Sequence, residues 1–412
     1  MDRPNRITID EPRISNNIIS YSYRVEGPWR EAFRLDREFR IEYSIDVSKV
    51  PLGVAIVPLL ANVLPMAWVY DAEIKAPVCD ADFYRCIPEV KRGYEDMYPM
   101  VRFGGNLDVA RIEDNAGARE GAICLFSGGV DAFNTLIQHV DESPLLLTLR
   151  GADITLDDDG GWDNVVHHVE SVSSDFEVGC TSVSSSFRSF LNEGLLSRKV
   201  AVSGDGWWHG FQHGIAIISH AAPLAYALNK EVIYIASSNT ASTRREVTCA
   251  SDPSIDNNVR FCGSRVSHDG FELTRQDKVH NIVGYSRMTG TPIKLRVCWE
   301  SSGGSNCCAC EKCARTILEV IAEGGEPADY GFSYTSEQFD RLMRKLHYIE
   351  PIHYPFYYHE IAASARENGA SLPESARWVL SENLERICDN PRKRLIELFK
   401  KAIRKIGTVV VR

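Results

Sequence analysis

The sequence predicts an α/β protein on a doubly wound, mostly parallel sheet, with an N-terminal α+β domain and a helical C-terminal extension. Three observations predict it. From Glu120 to about Gly325, short uncharged runs alternate with helix-length segments, as in parallel sheets covered on both faces. One run, Ala122–Phe126, ends in Ser127-Gly128-Gly129 and passes directly into a helix-forming stretch, Ala132–Val140. The 412 residues, 44% hydrophobic and 25% charged, suit a globular chain of about two or three domains.

Taken in order, residues 1–119 read as the first domain. Arg6–Ile9, Ile18–Val25 and Phe39–Val47 alternate apolar and polar residues as half-buried strands do. Pro51–Tyr70 is uncharged and long enough to span a bilayer. Pro51, Pro58, Pro65 and Asn62 interrupt it, so a buried helix pair with a proline break is expected instead. Ala72–Pro77 reads as a strand and Asp80–Tyr98 as a helix. Arg30, Arg34, Arg37 and Arg40 lie among acids and read as a solvated mixed-charge face.

Residues 120–325 form the second predicted domain. Its strands are expected at Ala122–Phe126, Leu145–Leu149, Glu177–Thr181, Lys199–Ser203, Glu231–Ala236 and Lys294–Val297. Helices are expected at Ala132–Val140, Trp162–Ser173, His209–Leu228, Leu273–Tyr285 and Glu311–Ala322. Residues 326–412 read as largely helical, ending in a basic stretch.

Chemistry is expected beyond the strand C-termini, where such sheets bind ligands. Strand, glycine turn and helix is a geometry in which backbone N–H groups hold an anion. The turn Ser127-Gly128-Gly129-Val130-Asp131 lacks the Lys-Ser/Thr of a Walker loop. It also lacks the third glycine of a dinucleotide fingerprint. Trp207 and Trp208, in a second glycine-bearing loop, are placed either to stack on a planar heterocycle or to fill core. His209, His213 and His220 are too spread for a ligand set, although His209 and His213 share a helix face. Arg275 and Lys278, one helical turn apart, are either a charge-stabilising pair or exposed surface charges.

Cys298, Cys307, Cys310 and Cys313 follow a C-x8-C-x2-C-x2-C pattern. Thiolates two residues apart reach one tetrahedral ion without backbone strain, and four sulfurs suit structural Zn²⁺. An iron–sulfur cluster uses similar spacing and is the runner-up. Cys308 is an extra thiol expected to point away.

The glycine turn after a hydrophobic strand resembles the PP-loop of the ATP pyrophosphatases. With the cysteine pattern in the same predicted domain, Glu120 to Gly325 resembles the QueC family of 7-cyano-7-deazaguanine synthases. The resemblance implies a PP-loop/HUP-like fold. It also implies ATP and Mg²⁺ as cofactors beside Zn²⁺. Ser127, Gly128, Gly129 and Val130 would bind ATP pyrophosphate, and Asp131 would sit near the metal–phosphate. It implies adenylation of a small carboxylate, 7-carboxy-7-deazaguanine or similar, followed by joining to ammonia or an amine. Lys278 matches a family lysine, and Asp252 and Asp256 fall where the family has its substrate loop. Ala132 stands where the family has Ser or Thr, and Asp205-Gly206 replaces its Arg-Asn pair. The length resembles QueC-like proteins of bacterial gene clusters, anti-phage ones included, which implies a protein amine as a possible acceptor. A nucleotide-binding scaffold that recruits partners is the alternative reading.

The net charge of −10 argues against a general nucleic-acid binder. The N-terminus has no apolar core of a signal peptide, so a cytoplasmic location is expected. Pro391–Arg412 carries eight basic residues and one acid, leaving 38 basic against 55 acidic residues elsewhere, a balance of −17. That basic amphipathic stretch is expected to dock on this protein's own acidic surface, on a second copy or on a partner protein, with membrane or nucleic-acid contact the weaker alternatives.

Overall fold

The computed structural model describes residues 4–244, 246–298, 303–350, 352, 354–388, 390–393 and 395–396. The chain divides into two compact units, residues 1–127 with 135–272, and residues 128–134 with 273–412.

The first unit carries a nine-stranded sheet. Its five central strands are Ala122–Leu125, Leu145–Arg150, Cys180–Ser185, Val232–Ala236 and Ser264–Asp269. They are mutually parallel. Numbered as they follow in the chain, they lie side by side in the order 3-2-1-4-5. This is the doubly wound arrangement, whose switch point lies between Ala122–Leu125 and Val232–Ala236. All four residues of Ala122–Leu125 are buried, which explains its uncharged sequence.

The N-terminal strands do not form a domain of their own. Phe39–Tyr43 pairs antiparallel with Cys180–Ser185, and Ile18–Tyr21 and Arg13–Ser15 extend the same sheet. Arg6–Ile9, Tyr23–Glu26, Glu73–Ala76 and Asn106–Val109 build a second, four-stranded sheet in this unit. The apolar segment is a buried helix pair, Leu52–Ala55 and Val57–Tyr70, as expected. Asn62 is fully buried there. Its side-chain oxygen accepts from Gln212 Nε2 at 2.7 Å, and its amide donates to the Pro58 carbonyl at 2.8 Å. Both polar ends are therefore satisfied inside the core. Among the described residues, no helix is long and apolar enough to cross a membrane.

Two expected strands are absent, and several present ones were not expected, Arg13–Ser15, Asn106–Val109 and Ser264–Asp269 among them. Lys199–Ser203 is the end of the helix Glu193–Lys199 followed by a short 3-10 turn, closed by Gly204 at φ +84°. Asn192 caps that helix by accepting from the Leu195 N–H, which overrides the β-branched pull of Val200 and Val202. Lys294–Val297 is unassigned to any strand; Leu295 donates to the Tyr330 carbonyl at 3.0 Å instead. Ser264–Asp269 follows a hairpin turn at Cys262-Gly263, both at positive φ (44° and 83°) as a type I′ turn requires.

The second unit is helical around Arg275–Thr289, Glu311–Ala322, Ser336–Tyr348 and Pro355–Glu367. Most of the basic Pro391–Arg412 stretch, from residue 397 onward, lies outside the described residues, so its docking is left as an expectation.

Candidate functional site

Gly128, at φ +77°, makes the turn that launches the helix Val130–Gln138. An L-residue there would be strained, so glycine is the residue that fits. The Gly128 carbonyl accepts from the Arg296 N–H at 2.7 Å. The turn is thereby tied to the extended segment that leads into Cys298.

Asp131 stands in the first helical turn and is half-buried. Its Oδ1 accepts from Lys278 Nζ at 3.1 Å and its Oδ2 pairs with Arg275 Nη1 at 3.3 Å. Burial alone would raise the Asp131 pKa; Lys278 and Arg275, with Lys312 beyond them, hold it below the usual carboxylate value. Arg275 and Lys278 are nearly fully buried and lie on one face of the helix Arg275–Thr289, capped by a Thr274–Asp277 box. They are not surface charges.

A second carboxylate orders this pair. Arg275 Nε donates to Glu319 Oε1 at 3.0 Å and Oε2 at 3.1 Å, and Arg275 Nη2 donates to Thr316 Oγ1 at 3.0 Å. Burial opposes the charge on Arg275, but Glu319 and Asp131 more than offset it, so the guanidinium stays protonated. Arg315, also buried, lies 3.8 Å from Glu319 and stacks 3.9 Å over the Tyr357 ring. Four cations, Arg275, Lys278, Lys312 and Arg315, thus face three carboxylates, Asp131, Glu319 and Glu311, beside a glycine turn and a helix N-terminus. Such an assembly suits a polyanion.

The four predicted metal ligands come together. The sulfurs of Cys298, Cys307, Cys310 and Cys313 all lie within 4.8 Å of one another. Cys298 to Cys310 is 3.8 Å and Cys307 to Cys313 is 3.9 Å. Sulfurs about 2.3 Å from a tetrahedral Zn²⁺ stand roughly 3.8 Å apart. A polynuclear cluster would push them farther apart, so the spacing suits a single ion. Cys310 also begins the helix Glu311–Ala322, its sulfur accepting from the Cys313 N–H at 3.5 Å. The Ala309 N–H points likewise at Cys307 Sγ, at 3.4 Å. Hydrogen bonds from the Cys313 thiol and N–H pull the Cys310 thiol below its ordinary value. Cys308, at φ +49°, faces the Asn306 carbonyl and stays outside the set.

The residues expected at the carboxylate substrate part company. Trp207 is fully buried, stacked on Phe211 with ring centroids 5.5 Å apart. It is core, and no exposed face remains for a heterocycle. Trp208 is half-buried, with the Arg188 guanidinium 4.2 Å over its ring and His213 edge-on at 5.1 Å. Asp252 caps the short helix Pro253–Asp256 and pairs with Arg244 at 3.0 Å. Asp256 is wholly buried, accepting from Ser251 Oγ at 2.7 Å and paired with His268 Nδ1 at 2.9 Å.

Sequence reasoning passed over Thr316, Glu319, Arg315 and Lys312. An i, i+4 reading of the helix after Cys310 puts Lys312, Thr316 and Glu319 on neighbouring rows and would have marked them. It also passed over Asp205 and Cys249, which the first unit gathers around His209. Comparison of the chain with family models, curated proteins and solved structures finds no match.

Proposed function

We propose that the second unit binds ATP with Mg²⁺ and splits it between the α and β phosphates, adenylating a small carboxylate that an amine or ammonia then captures. The observation that carries this reading is Asp131, ionised beside a left-handed glycine turn and gripped by Arg275 and Lys278. Backbone N–H groups at the start of Val130–Gln138 would receive the pyrophosphate. Arg275 and Lys278 are fixed before substrate arrives, so charge developing on the phosphates meets donors that need no reorganisation. Glu319 holds Arg275 in place from behind. Asp131 supplies the anionic oxygens a Mg²⁺ would need, and the ion would neutralise the leaving pyrophosphate. The parallel strand order 3-2-1-4-5 supports the reading, because Ser127 leaves the sheet at the switch point. In the metal centre the residues fit Zn²⁺ in a structural role, with all four positions taken by sulfur.

The deciding experiment incubates the protein with α-labelled ATP, Mg²⁺ and 7-carboxy-7-deazaguanine and resolves the nucleotides. Labelled AMP that depends on the carboxylate is the expected product. Labelled ADP removes the reading. AMP that appears only with a different carboxylate keeps the reaction and changes the substrate.

A further inference from the structure

The geometry points to a second catalytic centre in the first unit: Cys249 as a thiol nucleophile, His209 as its base and Asp205 as the group that positions the imidazole, acting on an amide or ester carbonyl. This centre is independent of the ATP reading and uses none of its residues.

The three groups are gathered on adjoining segments. Cys249 Sγ donates to the His209 carbonyl at 3.6 Å and lies 3.4 Å from the Ser251 N–H, which seats the thiol against the residue that carries the imidazole. His209 Nδ1 is 3.0 Å from Asp205 Oδ1. Asp205 Oδ2 accepts from Tyr98 at 2.8 Å and from Thr248 at 2.5 Å. Three donors thus fix the carboxylate, and the carboxylate fixes the ring. The backbone is shaped around this contact. Residues Trp208–Gln212 make a π-helical turn, a form that recurs at functional sites. At Gly210 an added Cβ would stand 2.7 Å from the Asp205 Cβ.

The charges follow the geometry. Burial alone would push the Cys249 thiol up, but the imidazoles of His209 and His213 bring it down to about 6. The bond to Asp205, with the nearby Cys249, lifts His209 to about 10. Both shifts favour the thiolate and the imidazolium over the neutral pair. His213 is held up against its own burial by Cys249, with Asp153 and Asp256 adding to the effect. A metal site is the competing use of two histidines and a cysteine. Among the described residues only the four-cysteine group brings ligand atoms close enough for an ion. The site is open on the imidazole side: the His209 side chain is 44% exposed, while Cys249 is 5% exposed. Trp208, edge-on to His213, flanks it with an aromatic face.

The chemistry balances without a further reactant. The Cys249 thiolate adds to the carbonyl carbon. The C–N or C–O bond breaks as the His209 imidazolium gives its proton to the leaving amine or alcohol. Water then attacks the thioester carbonyl, His209 takes its proton, and the acid leaves as the thiolate reforms. The Ser251 N–H, 3.4 Å from Cys249 Sγ, steadies the thiolate between turnovers.

The test uses the intact protein and p-nitrophenyl acetate. A burst of p-nitrophenolate approaching one per chain is expected, with the acetyl group mapped to Cys249 by peptide mass. Cys249→Ala should abolish the burst. Asp205→Asn should slow it at least about tenfold at pH 6.5 and less at pH 9, where the thiol ionises without help. As a check that needs no variant, limiting iodoacetamide at pH 6.5 should label Cys249 before the other cysteines and faster than it labels glutathione. An acetyl group on another residue, an Asp205→Asn rate equal to wild type at pH 6.5, or Cys249 labelling no faster than glutathione would each overturn the assignment.

Discussion

Asp131 and Asp205 are the same residue type put to opposite uses. Asp131 is held ionised by full cations, Lys278 and Arg275, in a setting where burial opposes its charge. Asp205 is held ionised by the His209 imidazole, itself drawn toward its charged form, and by two neutral hydroxyls, those of Thr248 and Tyr98. Around Asp131 the surplus is positive and buried, which prepares a place for a large anion. Around Asp205 two hydroxyls and the His209 imidazole fix one carboxylate, and a single soft atom, Cys249 Sγ, sits 3.6 Å from the His209 carbonyl, which prepares one nucleophile. The neighbours, not the carboxylate, decide what each site can do.

The sharpest way to separate the two regions is to remove the ion. Cys310→Ser, or a strong chelator, should unfold the second unit, since structural zinc binding contributes about 10 kcal/mol or more to such folds. Elemental analysis should find close to one Zn²⁺ per chain in the wild type and almost none in the variant. The first unit's reaction with p-nitrophenyl acetate should survive. Iron with acid-labile sulfide in the wild type would contradict the single-ion geometry.

Asp131→Asn should come next in size. It leaves Arg275 and Lys278 in place but removes the anion between them. AMP formation should fall on the order of 10²–10³-fold, with Cys249 acylation unchanged in the same sample. A loss of both activities would mean that the two regions do not act separately.

Glu319→Gln tests the support behind Arg275. Removing one partner of a buried ion pair costs about 3 kcal/mol, read as a lower thermal midpoint of the second unit, with AMP formation reduced in the folded protein. An unchanged midpoint would show that Asp131 alone compensates Arg275.

The smallest effect concerns Glu360, whose carboxyl burial pushes up to about 7. Its folded value is above the unfolded one, so the folded state binds the extra proton. The stability it contributes is full below about pH 4.3 and is lost as pH rises through about 7. Glu360→Gln should flatten the decline in thermal midpoint between pH 5 and 8. A slope equal to wild type would show that the carboxylate is paired.

Local pattern carried much of this structure into the sequence. The four cysteines close on each other because their spacing is short and their ligand type is uniform. Arg6–Ile9 and Glu311–Ala322 have the expected bounds because periodicity and caps agree there. What the sequence hid was pairing across distance. Arg13–Ser15, Ile18–Tyr21 and Phe39–Tyr43 read as a separate domain, since nothing local says that their edge partner is Cys180–Ser185. Trp207 and Trp208 are adjacent and chemically alike, yet only the packing of Phe211 decides that the first is core. Cys249 lies 40 residues from His209, so no spacing rule joins them. Their chemistry exists only once the fold brings them together.

Cys310 has a consequence beyond metal retention. The sulfur that would complete a metal ion's shell also starts the helix that carries Thr316 and Glu319, the two residues that bond Arg275. With an ion bound there, its occupancy and the posture of Arg275 would be linked quantities, and linkage runs both ways. An oxidant that claims the sulfur would then loosen the start of that helix and the guanidinium it holds. Conversely, an anion that locks Arg275 in place slows the departure of the ion. Metal exchange measured with and without a bound polyphosphate thus becomes a gauge of phosphate recognition, readable without any turnover.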